Sequence, residues 1–234
     1  FLVEISVTIF RTKDDLGSDK DLIDLVKSEA KQKGTGTWTV QAALELQVPT
    51  PTIMAGVTAR LFSAFRSPLA STFGTLECRQ GKLSINFLKD ALLLAKIIAY
   101  AEGFSLIERG NAQYSWLIHP AEVARVWRGG CIIRSALLKT FDEAFRAEPR
   151  IIHLLQAPKI AQIVSKKHTK LRKVVSVAEL GGIPLPAMSA AITCLDSLRG
   201  TWLPQNLIQA QRDLFGAHTY ERTDREGTFH ARWK

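Results

Sequence analysis

The chain has 234 residues, 31 lysines and arginines against 22 acids, a formal charge of +9 and 46% hydrophobic residues. That apolar share supports a sizeable core and excludes a disordered chain, while the length allows one large domain or two small ones. The charge favours an anionic partner, whether nucleic acid, anionic lipid or a phosphorylated metabolite, and three scattered cysteines (Cys78, Cys131, Cys194) with no CxxC pair argue against a zinc site or a disulfide framework and fit a reducing cytosol.

Residues 1–10, FLVEISVTIF, alternate Val3, Ile5, Val7 and Ile9 with other residues, which is a strand signal by period. Residues 12–21 form a polar connection. Residues 21–31 carry Leu22, Ile23, Leu25, Val26 and Ala30 at helical spacing. The small-residue break KGTGTW follows, then a helical pattern over 39–47. Pro51 is placed to start a helix that runs to about Arg66. Residues 67–81 read as a surface loop. Ser84 is a candidate cap for a long helix over 85–108, whose apolar residues surround most of the cylinder and mark it as central. Shorter helices are expected over 122–128, 131–145, 151–156, 159–165 and 170–180, the last ended by Gly181-Gly182. Helices over 187–199 and from Pro204 to Gly216 complete the series. No hairpin signal and no fixed-period repeat stands out. The expected fold is all-α, with residues 1–216 as the helical domain and 217–234 as an extended tail.

No apolar run reaches the roughly 20 residues that span a bilayer; residues 91–100 come nearest, but Lys96 interrupts them and Glu102 follows. The N-terminus lacks a basic region and a cleavage site of the signal-peptide kind. It also lacks an initiator Met and opens in mid-pattern, which points to a start inside a larger protein.

The chemistry-bearing motifs are individually weak. GxGxxG, GxSxG and HExxH are all absent. KGTGTW reads either as a tight interhelical turn or as a ligand loop, in which glycine backbone approaches an anion, Lys33 adds charge and Thr35 adds a hydroxyl. Arg60, among Val57, Leu61 and Phe62, is either a snorkelling side chain or a buried cation with an anionic partner. WRGGCIIRS offers Arg128 and Arg134, more often packing residues than ligands, and Cys131 reads as a buried, inert thiol. LVKSEAKQK and SKKHTKLRK read as solvated helix faces, with a nucleic-acid patch as the minor alternative. In QRDLFGAHTYER, Arg212 precedes His218 by six residues across Phe215-Gly216. This is either a basic helix end favoured by the macrodipole or a ligand clamp.

QRDLFGAHTYER, KGTGTW and VWRGGCIIRS, in that family's order and reinforced by GGIPLP and LIQAQRD, resemble 6-phosphogluconate dehydrogenase over nearly the whole chain. The resemblance implies the large all-helical C-terminal domain of that family, which forms most of a homodimer interface and completes the substrate site. It makes residues 1–11 the end of a long helix, against the strand reading. It implies oxidation of 6-phosphogluconate at C3 with hydride transfer to NADP, then loss of carbon dioxide to give ribulose 5-phosphate in the pentose phosphate pathway, without a metal, in the cytoplasm. Lys33, Thr35 and Arg60 match the family's phosphate ligands. Arg212 and His218 match an arginine and a histidine donated to the partner subunit's site. The family's general-base lysine, general-acid glutamate and NADP-binding loop match nothing here and would precede Phe1, so the fragment alone is expected to be inactive. Departures are Thr37, where the family reads lysine, and LIHPAEVARVW in place of NYGGIALMW. The alternative is a free-standing phosphosugar-binding or dimerisation module. A nucleic-acid or membrane partner is not expected.

Overall fold

The computed structural model describes residues 1–65, 78–79 and 81–233. Ten α-helices run in chain order: α1 (Leu2–Ile9), α2 (Leu22–Leu25), α3 (Thr35–Glu45), α4 (Pro51–Phe65), α5 (Ile85–Tyr114), α6 (Pro120–Arg128), α7 (Leu137–Ala147), α8 (Pro158–Leu180), α9 (Pro186–Arg199) and α10 (Gln205–Gly216). A 3-10 turn over Leu154–Gln156 precedes α8, and two short strands follow α10: β1 (Tyr220–Glu221) and β2 (Thr228–Phe229). The chain divides into two compact units, Phe1–Cys194 and Leu195–Lys234.

In the first unit α5 is the axis. Ser84 caps it, its side chain accepting from the Phe87 N–H. Ala91, Leu94, Ala95, Ile97, Ile98, Ala101, Glu102 and Phe104 are all buried. Those positions form one broad face of the helix, wider than the stripe of a surface helix. Around Phe104 the core gathers Ala121 and Ala124 of α6, Phe141 and Phe145 of α7, and Leu154 and Ile160. Phe104 meets Phe145 edge-on at 4.9 Å between centroids, a favoured aromatic geometry.

Helix α8 packs along α5, burying Ile160, Leu171, Val174, Val175 and Ala178. It is one helix where the sequence pattern suggested two. The polar run Lys166–Lys170 does not break it, because Lys167 and Lys170, one turn apart, both pair with Asp90 of α5. The charge run is therefore partly an inter-helix lock.

Five other expectations change, and one of them is the helix expected over 151–156, which is a single 3-10 turn over Leu154–Gln156. Residues 2–9 are helical, as the resemblance implied and the alternation did not. The helix expected over 21–31 shrinks to α2, since Val26 is extended and residues 27–33 are exposed. Residues 131–136 are turns and irregular backbone, not helix, and Cys131 is half-buried and not a core thiol. The tail contains an antiparallel pair, Tyr220 opposite Phe229 and Glu221 opposite Thr228; its six-residue connection held the Arg222–Asp224 ion pair but no short turn signature. Most of the loop expected over 67–81, and Arg66, lie outside the described residues.

Candidate functional site: an anion-receptive helix start and a buried carboxylate under the tail

Gly34 takes a left-handed backbone (φ +99°) immediately before α3, a conformation that costs glycine nothing. It turns the chain so that Thr35, Gly36 and Thr37 begin the helix. The first intrahelical bond in this turn is made by the Trp38 N–H to the Gly34 carbonyl (2.9 Å). The N–H groups ahead of it have no partner inside the helix. No side chain caps the turn and no acid lies in it.

Two contacts hold this helix start against α4. A Cβ on Gly36 would stand 3.0 Å from Val57 Cγ2, so the missing side chain lets the helices approach. Upstream, the Ala30 N–H donates to Ser63 Oγ (2.9 Å), whose hydroxyl donates to the Arg60 carbonyl (2.7 Å). Val57, Arg60 and Ser63 are successive i, i+3 neighbours on α4. The tethers thus bracket the turn that carries Arg60. Lys33, Thr35 and Arg60 are all exposed, and Arg60 is a solvated cation, not a buried one. Among the described residues neither Lys33 nor Arg60 has an ion pair. Lys33 and Arg60 as cations, the Thr35 hydroxyl and the open N–H groups of the helix start are donors of the kind that a phosphate takes.

The position of α4 depends on a residue that sequence reasoning missed. Pro51 opens α4 and lacks an N–H, so the next two donors belong to Thr52 and Ile53. Glu102, buried at mid-length of α5, accepts both, at 3.0 and 3.1 Å. Beside it the Cys194 thiol is pushed up to about 12 by burial and by the neighbouring Glu102 carboxylate, so this thiol is unreactive.

In the second unit, Arg212 and His218 flank the end of α10 and are exposed. Arg212 donates to Gln209 Oε1 (3.1 Å). The His218 imidazole sits edge-on to Phe215 at 5.9 Å. The organising group here, also missed, is Asp213. Its carboxylate is fully buried and accepts from the N–H groups of Thr219 (2.9 Å) and Ala231 (3.1 Å), from Trp233 Nε1 (2.8 Å) and from His230 Nδ1 (2.9 Å). Burial alone would raise its pKa, but those donors outweigh burial and hold it far below the usual carboxylate range. Its partners lie up to twenty residues downstream in a polar tail, where no periodicity announces them.

Arg134 is a packing residue: it lies over the Phe1 ring, 3.6 Å from the centroid. Among the described residues no group of three His, Cys, Asp or Glu side chains is placed to hold a metal ion, and no helix is long and apolar enough to cross a membrane.

The sequence profile of the family described as "6-phosphogluconate dehydrogenase, C-terminal domain" matches residues 1–233. A Synechococcus elongatus protein described as "6-phosphogluconate dehydrogenase, decarboxylating" is 43% identical, covering 100% of this chain and 51% of its own length. A Bacillus subtilis protein described as "6-phosphogluconate dehydrogenase, NADP(+)-dependent, decarboxylating" is also 43% identical with the same coverage. A solved Plasmodium falciparum 6-phosphogluconate dehydrogenase, studied in its apo form and in complexes with its cofactor NADP+ and its substrate 6-phosphogluconate, matches with a TM-score of 0.93 at 37% identity, over 99% of this chain and 51% of that one. The chain spans about half the length of the curated relatives it matches, and it belongs to the 6-phosphogluconate dehydrogenase C-terminal domain family.

Proposed function

We propose that this chain is the substrate-binding and dimerisation part of a decarboxylating, NADP-dependent 6-phosphogluconate dehydrogenase. Lys33, Thr35 and Arg60 take the substrate phosphate, joined by Arg212 and His218 from a second copy. The observation that carries the reading is the start of α3, uncapped and free of acids, tied to the α4 turn that bears Arg60.

The role of these residues is positional. A dianionic phosphate gains from several charge-assisted donors, and guanidinium groups offer a fork that an ammonium does not. Binding a phosphate remote from the reacting carbon fixes the sugar acid's orientation, and that binding energy lowers the barrier only through geometry. NADP supplies the hydride acceptor when bound. The described residues do not fit it: β1 and β2 are their only strands, antiparallel and two residues each, and a Gly-rich strand-to-helix turn is absent.

Calorimetric titration of the chain with 6-phosphogluconate tests the reading. Arg60→Ala is expected to weaken binding about tenfold to a hundredfold, the worth of a hydrogen bond to a charged group. Equal affinity in the variant and the parent would remove Arg60 from the site.

A further inference from the structure

We propose that Asp213 and Gln209 are positioning residues that set Arg212 and His218 into one anion-binding fork before any ligand arrives. This rests on the reading of Arg212 and His218 as ligand groups.

The segment that runs from Arg212 through His218 to Thr219 is unusually constrained. Ala217 and Thr219, on either side of His218, both have left-handed backbones (φ +50° and +61°) without being glycine. Such conformations persist where the surroundings impose them. Thr219 is held at both backbone groups: its N–H donates to Asp213 Oδ1 (2.9 Å) and its carbonyl accepts from Gln209 Nε2 (2.6 Å). The same Gln209 amide accepts from Arg212 through Oε1. One side chain therefore ties Arg212 to the residue that follows His218. The Asp213 backbone contributes as well, its carbonyl accepting the Ala217 N–H (2.9 Å). His218 in turn lies against Gly216, its Nε2 2.8 Å from where a Cβ would stand.

The other half of the Asp213 carboxylate reaches the chain end. Oδ2 accepts from Ala231 and Trp233, and Oδ1 from His230. A carboxylate sealed from water beside the solvent-facing Arg212 and His218 side chains does not compete with a ligand for them, since its lone pairs are already occupied by donors of the tail. It acts as a template, and what it templates is the loop from α10 to Thr219. Preorganisation of this kind lowers the ordering cost of binding.

The experiment titrates 6-phosphogluconate into the 234-residue chain and into Arg212→Ala, His218→Ala, Asp213→Asn, Gln209→Leu and the His218→Ala/Asp213→Asn double variant, with melting curves for each. Each single variant is expected to weaken binding about tenfold. The double variant is expected to bind no worse than the weaker-binding single, because Asp213 acts through the loop that carries His218. Additive losses in the double variant would overturn the positioning role. If Arg212→Ala weakens binding while Asp213→Asn and Gln209→Leu match the parent, the inference fails and the reading of Arg212 stands. If the parent shows no binding, or Arg212→Ala matches the parent, the reading of the clamp fails and the inference goes with it. Where Asp213→Asn does not fold, Gln209→Leu decides: parental affinity there overturns the proposal.

Discussion

Glu102 spends both carboxylate oxygens on the two N–H groups that open α4, and it is buried while doing so. Replacing it with alanine leaves two donors without an acceptor at a helix end. At about 1–3 kcal/mol for each orphaned group, Glu102→Ala should cost about 3 kcal/mol or more in urea unfolding, and Glu102→Gln, which keeps one acceptor, about half of that. A loss below about 1 kcal/mol for the alanine variant would mean that water or a shifted side chain takes over the cap. Asp213 makes a pH prediction whose sign is fixed by its depressed pKa. A carboxyl that titrates lower folded than unfolded stabilises the fold above its unfolded value, about 3.9, and that contribution is lost as pH falls towards the folded value. Hydrogen exchange at Thr219 and Ala231 should therefore stay protected from neutral pH down to about 5, and protection should fall only below about 4. Loss of protection already near pH 6 would put the controlling group elsewhere.

Elements differ in how plainly their residues announce them. Helix α5 was readable because its broad buried face leaves a long run of apolar residues with few charges. Helix α8 read as two because its mid-length lysines look solvated, and only the position of Asp90 on another helix explains them. Residues 2–9 read as a strand because α1 buries no residue, so no period-3.6 stripe was required of them. The positions proposed to take the phosphate are weak signals one by one. What sets α3, which begins at Thr35, against α4, which bears Arg60, is the close approach at Gly36 and Val57, and a glycine in a sequence does not say which neighbour it admits. That approach is testable. Alanine at position 36 gains about 1 kcal/mol in helix preference but overpacks against Val57 at about 1–3 kcal/mol. Gly36→Ala should be destabilised by up to about 2 kcal/mol and bind 6-phosphogluconate less tightly. Val57→Ala makes room, so the double variant should be more stable than the sum of the single effects by about 1 kcal/mol. Strict additivity in thermal melts would show that the two helices adjust freely.

At the scale of the whole molecule, the exposed apolar surface is too organised to be incidental. On α4, Thr58, Leu61, Phe62 and Phe65 follow i, i+3, i+4, i+7 spacing and line an open apolar depression with Ala64, and Leu61, Phe62 and Phe65 are each more than half exposed. On α10, Leu207, Ile208, Leu214 and Phe215 are more than half exposed as well. Contiguous faces of this kind mark association surfaces. The proposed homodimer supplies an occupant, and it would link assembly to ligand affinity, because the proposal has Arg212 and His218 lent by the other copy. Sedimentation should give twice the 26.0 kDa chain mass. Leu61→Asp/Phe65→Asp should shift the species towards monomer and weaken 6-phosphogluconate binding, although neither residue is proposed to touch the ligand. Diluting the parent should lower its apparent affinity in step with dissociation, since a ligand held by two copies stabilises the pair by mass action. Binding that is unchanged by dilution into the monomer range would show that one copy completes its own phosphate site, and Arg212 and His218 would then have to serve the chain that carries them.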